Sequence, residues 1–262
     1  MTNSDAQPAN GFDPVLRTYR KIRSALASVP GMRGRPQTSF WSSDYVRHNQ
    51  RRQEHLATLG LPLAGKTVIE VGAGIGDHTS FFIDRGCQVI ITEGRPANLA
   101  ILKRKYPDFR VELLDLDNFD PAFNDQAEIV YCYGTLYHLR RPAQAMAALS
   151  KCCTAMLLLE TCVSFGTHLA VNLIEEPSYN HTQAVSGIGC RPTRPWIYTE
   201  LKRYFDYVYL PVTQPWHKEF PIDWLASPTQ PNNLSRAVFI ASREPIANEL
   251  LTDQIPMKQR RC

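Results

Sequence analysis

The 262-residue chain has an ordinary globular composition, with 44% hydrophobic and 21% charged residues, which excludes fibres and wholesale disorder. Its net charge of +4 is unevenly placed, because residues 1–60 hold nine Lys and Arg against four Asp and Glu. No apolar run approaches the roughly 18 residues of a membrane span, and residues 1–10 lack the apolar core of a signal peptide. We therefore expect a cytoplasmic protein whose basic N-terminal arm faces solvent, nucleic acid, an anionic surface or a phosphorylated substrate.

The number and spacing of the cysteines indicate whether the chain forms disulfide bonds or binds a metal. The seven cysteines are odd in number and include no Cys-x-x-Cys pair. Reduced thiols that serve as small core residues fit this pattern better than a disulfide framework or a zinc site. The sequence predicts no metal site.

Two helical patterns come first along the chain. Apolar residues recur every three or four positions over 13–29, with basic residues between them, which predicts an amphipathic basic helix. Pro30 and Gly31 end it. A second helix is predicted over 44–59. We assign residues 1–60 to an N-terminal helical arm and lid.

Beyond Gly65, short apolar runs alternate with helical patterns, which is typical of βαβ units and a parallel sheet. The seven predicted strands span 67–71, 88–92, 111–114, 128–133, 155–161, 207–210 and 237–241. We therefore predict an α/β domain over 61–247 with a seven-stranded, mostly parallel sheet. The tail at 248–262 is predicted to be flexible.

Two segments, near 162–194 and 212–235, interrupt the alternation. Each follows a strand that should run parallel to the others. The carboxyl ends of parallel strands meet at one edge of a sheet, so both segments should lie over the same ligand crevice. We interpret them as cap insertions over an acceptor.

A glycine-rich turn follows the first predicted strand. Gly72, Gly74 and Gly76 let the backbone turn sharply and approach a ligand closely. The dinucleotide fingerprint requires a third small residue where this chain has Asp77. The carboxylates of Glu70 and Asp77 would repel a pyrophosphate and attract a cation. NAD therefore fits poorly.

Acidic residues also close the next two strands. Glu93 ends the second strand 17 residues after Gly76, and Asp115 and Asp117 follow the third. Together with the acidic-x-Gly-x-Gly-x-Gly loop, these residues resemble the class I S-adenosylmethionine-dependent methyltransferases. The resemblance covers about 67–161 and implies a Rossmann-like fold with S-adenosyl-L-methionine as cofactor.

The resemblance also implies donor contacts. The glycine loop would cradle the methionine part, Glu93 would hold the ribose, and Asp115 with Leu116 would face the adenine. Asp117 is the alternative to Asp115, which could instead cap a turn. The full expected set is Glu70, Gly72, Gly74, Gly76, Glu93, Asp115, Leu116, Tyr133 and, from the lid, Tyr45.

The absence of certain sequence motifs after the fourth strand narrows the type of methyl transfer. The fourth strand ends without the Asn/Asp-Pro-Pro-aromatic, Pro-Cys or metal-binding Asp patterns of other methyltransferase types. Metal-independent O-methylation of a small molecule or sugar remains, with a glycan or secondary metabolite as acceptor. Residues 133–142 and 157–161 also resemble enzymes that modify the tRNA wobble uridine, so an RNA methyl- or carboxymethyl-transferase is the alternative. A non-catalytic S-adenosylmethionine-binding protein is the third.

Histidines are the candidate bases for a hydroxyl acceptor. His138 follows the fourth strand, while His181 and His217 lie in the two caps. His138 could equally cap the next turn. The candidate acceptor contacts are Arg191, for an anionic group, and Trp216 and Trp224, for stacking, although simple packing would also explain the two tryptophans. The sequence leaves the acceptor, the regiochemistry and the oligomeric state open.

Overall fold

The computed structural model describes residues 40–226 and 234–262; the helix predicted over 13–29 lies outside them. The first complete helix, α1, spans Ser43–Thr58, close to the predicted 44–59. The Ser42 hydroxyl accepts a hydrogen bond from the Tyr45 amide and caps the helix. No helix among the described residues is both long and apolar enough to cross a membrane.

The domain alternates strands and helices as the sequence predicts. The strands are β1 (Thr67–Val71), β2 (Gln88–Glu93), β3 (Arg110–Leu113), β4 (Ala127–Tyr133), β5 (Cys153–Cys162), β6 (Val171–Glu175), β7 (Ile188–Pro192), β8 (Tyr207–Pro211), β9 (Thr213–Gln214), β10 (Arg236–Ser242), β11 (Leu251–Thr252) and β12 (Arg260–Arg261). The helices after α1 are α2 (Thr79–Ile83), α3 (Pro96–Lys105), α4 (Pro142–Cys152) and α5 (Arg194–Leu201). Short 3₁₀ turns at Leu116–Asn118 and Leu136–His138 follow β3 and β4.

The main sheet has the order β11-β8-β10-β5-β4-β1-β2-β3. Strands β1 to β5 pair in parallel, and β10 is antiparallel to both β5 and β8. The fold is thus the mostly parallel α/β architecture that we predicted, with eight strands instead of seven because β11 joins β8 at the edge. Two apolar clusters pack the sheet, and strands such as β5 and β10 are buried almost throughout.

The topology fixes where the caps lie. Because β10 is antiparallel to both neighbours, β8 runs in the same direction as β5, and the segments after both strands leave the same edge of the sheet. The first cap contains the antiparallel hairpin of β6 and β7.

The prediction of a flexible tail at 248–262 is wrong. Residues 251–252 pair with β8, and residues 260–261 pair with β9. The Asn248 side chain donates to the carbonyl of Leu59 at 2.7 Å, and the Gln259 side chain binds the carbonyl of Pro211. The tail is polar in sequence, yet its backbone groups complete an edge that would otherwise be exposed.

Candidate active site

A cavity of about 470 Å³ opens at the carboxyl ends of the parallel strands. The glycine loop, α1, the turn after β3, the turn after β4 and both caps contribute to its walls. Of the expected site residues, those that line it are Tyr45, Gly72, Gly74, Glu93, Asp115, Leu116, Tyr133, His138, His181, Arg191 and His217. Residues from distant parts of the sequence therefore meet at the edge that the topology selects.

The glycine loop needs its glycines for two separate reasons. Gly72 has a φ of +67°, a region that side chains rarely adopt, and a Cβ there would overlap the Oγ1 of Thr135. Gly74, with a φ of +61°, packs against the ring of Phe40. The bare backbone at these positions leaves room for a ligand against the loop.

Glu93 ties the loop to the end of β2. One carboxylate oxygen accepts from the Gly74 amide at 2.8 Å, and the other accepts from the Arg95 amide at 2.9 Å. Burial raises the pKa of Glu93, and these hydrogen bonds oppose that rise. Since a carboxylate offers about four lone-pair sites, Glu93 can still accept hydrogen bonds from the hydroxyl groups of a ligand in the cavity.

The two aspartates after β3 have different partners. Asp115 caps the following 3₁₀ turn by accepting from the Asp117 amide at 2.9 Å. Asp117 is buried and accepts from the amides of Arg140 and Arg141 and from the hydroxyl of Ser186. Asp117 therefore joins three loops, while Asp115 is the more exposed of the two at the cavity wall.

Two of the expected donor contacts lie outside the main cavity. The Glu70 carboxylate is 2% exposed and accepts from the hydroxyl of Thr79 at 2.6 Å, so it faces the start of α2. Burial raises its pKa to about 8. The carbonyl of Gly76 accepts from Lys105 and Tyr106 of the neighbouring helix region, and a Cβ there would press on Tyr106. The structure thus gives both residues supporting positions beneath the loop.

Helix α1 covers the cavity from the other side. Arg52 is 4% exposed and pairs with Glu160 of β5 at 2.8 Å. Arg236 of β10 also pairs with Glu160, at 3.1 Å, and donates to the hydroxyl of Tyr137 at 3.1 Å. This network in the cavity wall was not predicted from the sequence, because its members lie in four separate segments.

His138 has a carboxylate partner that the sequence did not reveal. Its Nδ1 lies 2.5 Å from Oε2 of Glu176 in the first cap. Glu176 also accepts from the Ala184 amide at 2.8 Å and from Arg191 at 3.1 Å. Burial lowers the pKa of His138 and the Glu176 carboxylate only partly offsets this, so the imidazole is neutral at neutral pH.

Arg191 lines the cavity, but its guanidinium already has protein partners. It donates to the carbonyls of Tyr137 and Cys190 and pairs with Glu176. The expected anion site at Arg191 therefore has few free donors, since β7 places this side chain against the turn that carries His138. The loop around His181 is anchored elsewhere, by hydrogen bonds from Arg95 to the carbonyls of Asn180 and Gln183.

The placement of Trp216 and Trp224 at the acceptor is wrong. Trp224 is buried in the core, where it packs on Phe165 and donates from Nε1 to Gln259 at 2.7 Å. Trp216 is 56% exposed, and the guanidinium of Arg261 lies over its ring. Both tryptophans contact the tail that was predicted to be flexible, and neither lines the cavity.

His217, from the second cap, lies beside a residue of α1. The rings of His217 and His48 have centroids 5.0 Å apart, and both line the cavity with Glu219. Arg236 donates to the Glu219 carboxylate at 2.7 Å. The same arginine that contacts Tyr137 therefore also holds the second cap.

Comparisons with known proteins agree with this arrangement. Residues 68–156 match a family model described as a methyltransferase domain. The chain carries a class I methyltransferase domain that uses S-adenosylmethionine. The matched residues include β1, the glycine loop, Glu93 and the turn after β4, which line much of the cavity of this methyltransferase.

Solved structures share the fold of the methyltransferase at low identity. The N-terminal domain of EvdMO1, solved with SAH and D-fucose, has a TM-score of 0.56 at 16% identity, over 90% of this chain and 99% of that one. The 1,6-didemethyltoxoflavin-N1-methyltransferase of Burkholderia thailandensis has a TM-score of 0.50 at 18% identity, over 91% and 92%. A search of curated protein sequences gives no match.

Proposed function

We propose that this methyltransferase transfers the methyl group of S-adenosylmethionine to a hydroxyl of a small molecule or sugar, with His138 as the general base. The observation that carries this proposal is the 2.5 Å contact between His138 and Glu176 in the wall of the cavity that the glycine loop also lines. A base held by a carboxylate beside a donor site is what an oxygen acceptor requires.

The donor occupies the side of the cavity formed by the glycine loop. Gly72 and Gly74 hold the methionine part, and Glu93 accepts the ribose hydroxyls. Asp115 and Leu116 face the adenine, since the Asp117 carboxylate already accepts hydrogen bonds from backbone amides. Tyr133 contributes its carbonyl and Tyr45 covers the donor from α1; all of these residues line the cavity.

His138 and Glu176 divide the proton transfer between them. An ionised carboxylate only accepts hydrogen bonds, so Glu176 fixes the proton on Nδ1 and leaves the lone pair on Nε2. S-adenosylmethionine would supply the methyl group and keep the sulfur as S-adenosylhomocysteine, and Nε2 of His138 would take the proton that the acceptor hydroxyl loses. Glu176 then stabilises the imidazolium. The transfer itself needs no metal ion.

The acceptor is a compact polar molecule in this proposal. The part of the wall around His138 also contains Tyr137, Arg236 and His217, which offer hydrogen bonds to hydroxyl groups. The EvdMO1 domain, which shares the fold, was solved with D-fucose. Sugars and sugar-bearing metabolites are therefore the first acceptors to test.

The experiment combines an acceptor panel with base variants. Purified methyltransferase is incubated with labelled S-adenosylmethionine and a panel of monosaccharides, phenols and nucleosides, and methyl incorporation is measured. On the best acceptor, His138→Ala should lower kcat by about 10²-fold or more and leave S-adenosylhomocysteine affinity unchanged. His168→Ala, at an exposed histidine that does not line the cavity, is the matched control. Full turnover by His138→Ala would contradict the assignment.

A further inference from the structure

A cluster of ligand-type side chains lies in the cavity wall where α1 meets the second cap. His48 belongs to α1, and His217 and Glu219 follow β9. One nitrogen of each imidazole and one carboxylate oxygen all lie within 4.8 Å of one another. The proton transfer to His138 that we propose does not pass through this cluster.

We propose that His48, His217 and Glu219 form a binding site for a divalent transition-metal ion of the zinc type. Two imidazoles and a carboxylate are a common three-ligand set for zinc, with the remaining position open to water or to an oxygen of a bound molecule. The site joins α1 to the second cap. It is independent of which acceptor is methylated, and no step of the transfer passes through the ion.

The buried nitrogen of His48 is the second observation in favour of a ligand. The residue is 7% exposed, and its Nε2 has no hydrogen-bond partner. The Glu219 carboxylate lies 3.8 Å from this nitrogen, which is too long for a hydrogen bond. A buried polar nitrogen without a partner destabilises the fold, so the position favours an occupant that binds it.

The charges around the cluster allow a cation. Arg52 and Arg236 lie nearby, but Glu160 pairs with both and Glu219 pairs with Arg236, so these four residues carry no net formal charge. Both imidazoles would bind the ion in their neutral form.

The surroundings of the carboxylate resemble those of a metal ligand. The Nε of Arg236 donates to Oε2 of Glu219 at 2.7 Å and so fixes the orientation of the carboxylate. Nitrogen donors favour zinc and its transition-metal neighbours over Mg²⁺ and Ca²⁺, which prefer oxygen ligands.

Zinc binding to the full chain tests the proposal directly. Titration of the chelator-treated protein with Zn²⁺ in a calorimeter should show one site, and the thermal midpoint should rise with Zn²⁺ concentration because the ion binds the folded state. His217→Ala and Glu219→Gln should each weaken this binding by at least about 10-fold. Mg²⁺ should neither bind nor compete.

Two controls separate this site from adventitious histidine binding. His168→Ala removes an exposed histidine outside the cavity and should bind Zn²⁺ like the parent. His48→Asn tests the buried ligand, and circular dichroism checks that this variant folds. His217 and Glu219 are only half-buried, so their variants still test the proposal if His48→Asn does not fold. Absence of saturable Zn²⁺ binding, or equal binding by the parent, His217→Ala and Glu219→Gln, would overturn the proposal.

Discussion

Nδ1 of His138 lies 2.5 Å from Oε2 of Glu176, although 38 positions separate the two residues in the chain. The 3₁₀ turn after β4 presents the histidine, and the end of the β6–β7 hairpin presents the glutamate. Burial alone would raise the pKa of Glu176, but its hydrogen bonds to His138 and Ala184 hold that pKa below its ordinary value. The glutamate is therefore ionised, and it selects one tautomer of the histidine.

The first prediction follows from that tautomer. Glu176→Gln keeps the shape of the side chain, but its amide can donate a hydrogen bond to Nδ1 of His138. This favours the tautomer with the proton on Nε2, whereas a general base needs a free lone pair on Nε2. We expect kcat to fall by about 10²-fold or more with little change in KM. The Glu176 charge raises the pKa of His138, so its loss should also move the acidic limb of the pH–rate profile to lower pH.

The control for this prediction is the neighbouring residue. Glu175 is exposed at the end of β6, and Glu175→Gln should match the parent in both kcat and pH profile. Nitrogen-15 spectra of the His138 ring should show protonated Nδ1 in the parent and a shift toward protonated Nε2 in Glu176→Gln. Parental turnover in Glu176→Gln would mean that the carboxylate only supports the cap.

The second prediction concerns the donor. Glu93→Ala removes the acceptor for the proposed ribose hydroxyls and also frees the Gly74 amide. S-Adenosylhomocysteine binding, measured by calorimetry, should weaken by about 1–3 kcal/mol. Glu54→Gln, an exposed change on α1, should bind like the parent. Unchanged affinity in Glu93→Ala would remove the ribose assignment, and preferential binding of NAD would contradict the donor itself.

Local patterns predicted most of the fold. The alternation of short apolar runs with helical patterns placed β1 to β5 within two or three residues, because burial on both faces makes parallel strands nearly continuous apolar runs. The glycine spacing and the acid that closes β2 indicated, in the same way, residues that line the cavity. These features depend on neighbours in sequence, so one chain is enough to show them.

Side-chain contacts between residues far apart in the sequence could not be predicted from these local patterns. Nothing near Glu176 indicates that it meets His138, and nothing near Arg236 indicates that it meets Glu160. The tryptophans were misplaced for the same reason, since Trp224 binds Gln259 in a tail that is polar and without periodicity. Side-chain contacts between segments are set by tertiary packing, which periodicity does not encode.

The third prediction concerns stability against pH. Burial raises the pKa of Glu70 to about 8 from an ordinary value of 4.5, so between these values the folded state holds a proton that the unfolded state has lost. The free energy of unfolding should therefore decrease as pH rises through this window, by about 1.4 kcal/mol per pH unit from this residue. Glu70→Gln, which can still accept from Thr79, should lose that part of the slope.

Urea unfolding at pH 5, 6, 7 and 8 measures this slope. The difference between the parent and Glu70→Gln isolates Glu70 from other titrating groups, and the exposed Glu54→Gln should follow the parent. Identical slopes in the parent and Glu70→Gln would show that Glu70 is already ionised when the protein folds.

The fourth prediction separates backbone strain from steric overlap in the glycine loop. Gly72 and Gly86 have similar φ values of +67° and +71°, but a Cβ on Gly86 would meet no atom within 4 Å, whereas one on Gly72 would overlap Thr135. Gly86→Ala should therefore cost only the strain of a left-handed alanine, about 1–2 kcal/mol. Gly72→Ala should cost about 1–3 kcal/mol more, on the order of other overpacked sites, and should weaken donor binding because Gly72 lines the cavity.

Adding Thr135→Ala to Gly72→Ala should recover part of that extra cost in a double-mutant cycle. Equal losses in Gly72→Ala and Gly86→Ala, measured by chemical unfolding, would mean that the turn after β4 moves freely away from the loop and that the donor end of the cavity is not held by this contact.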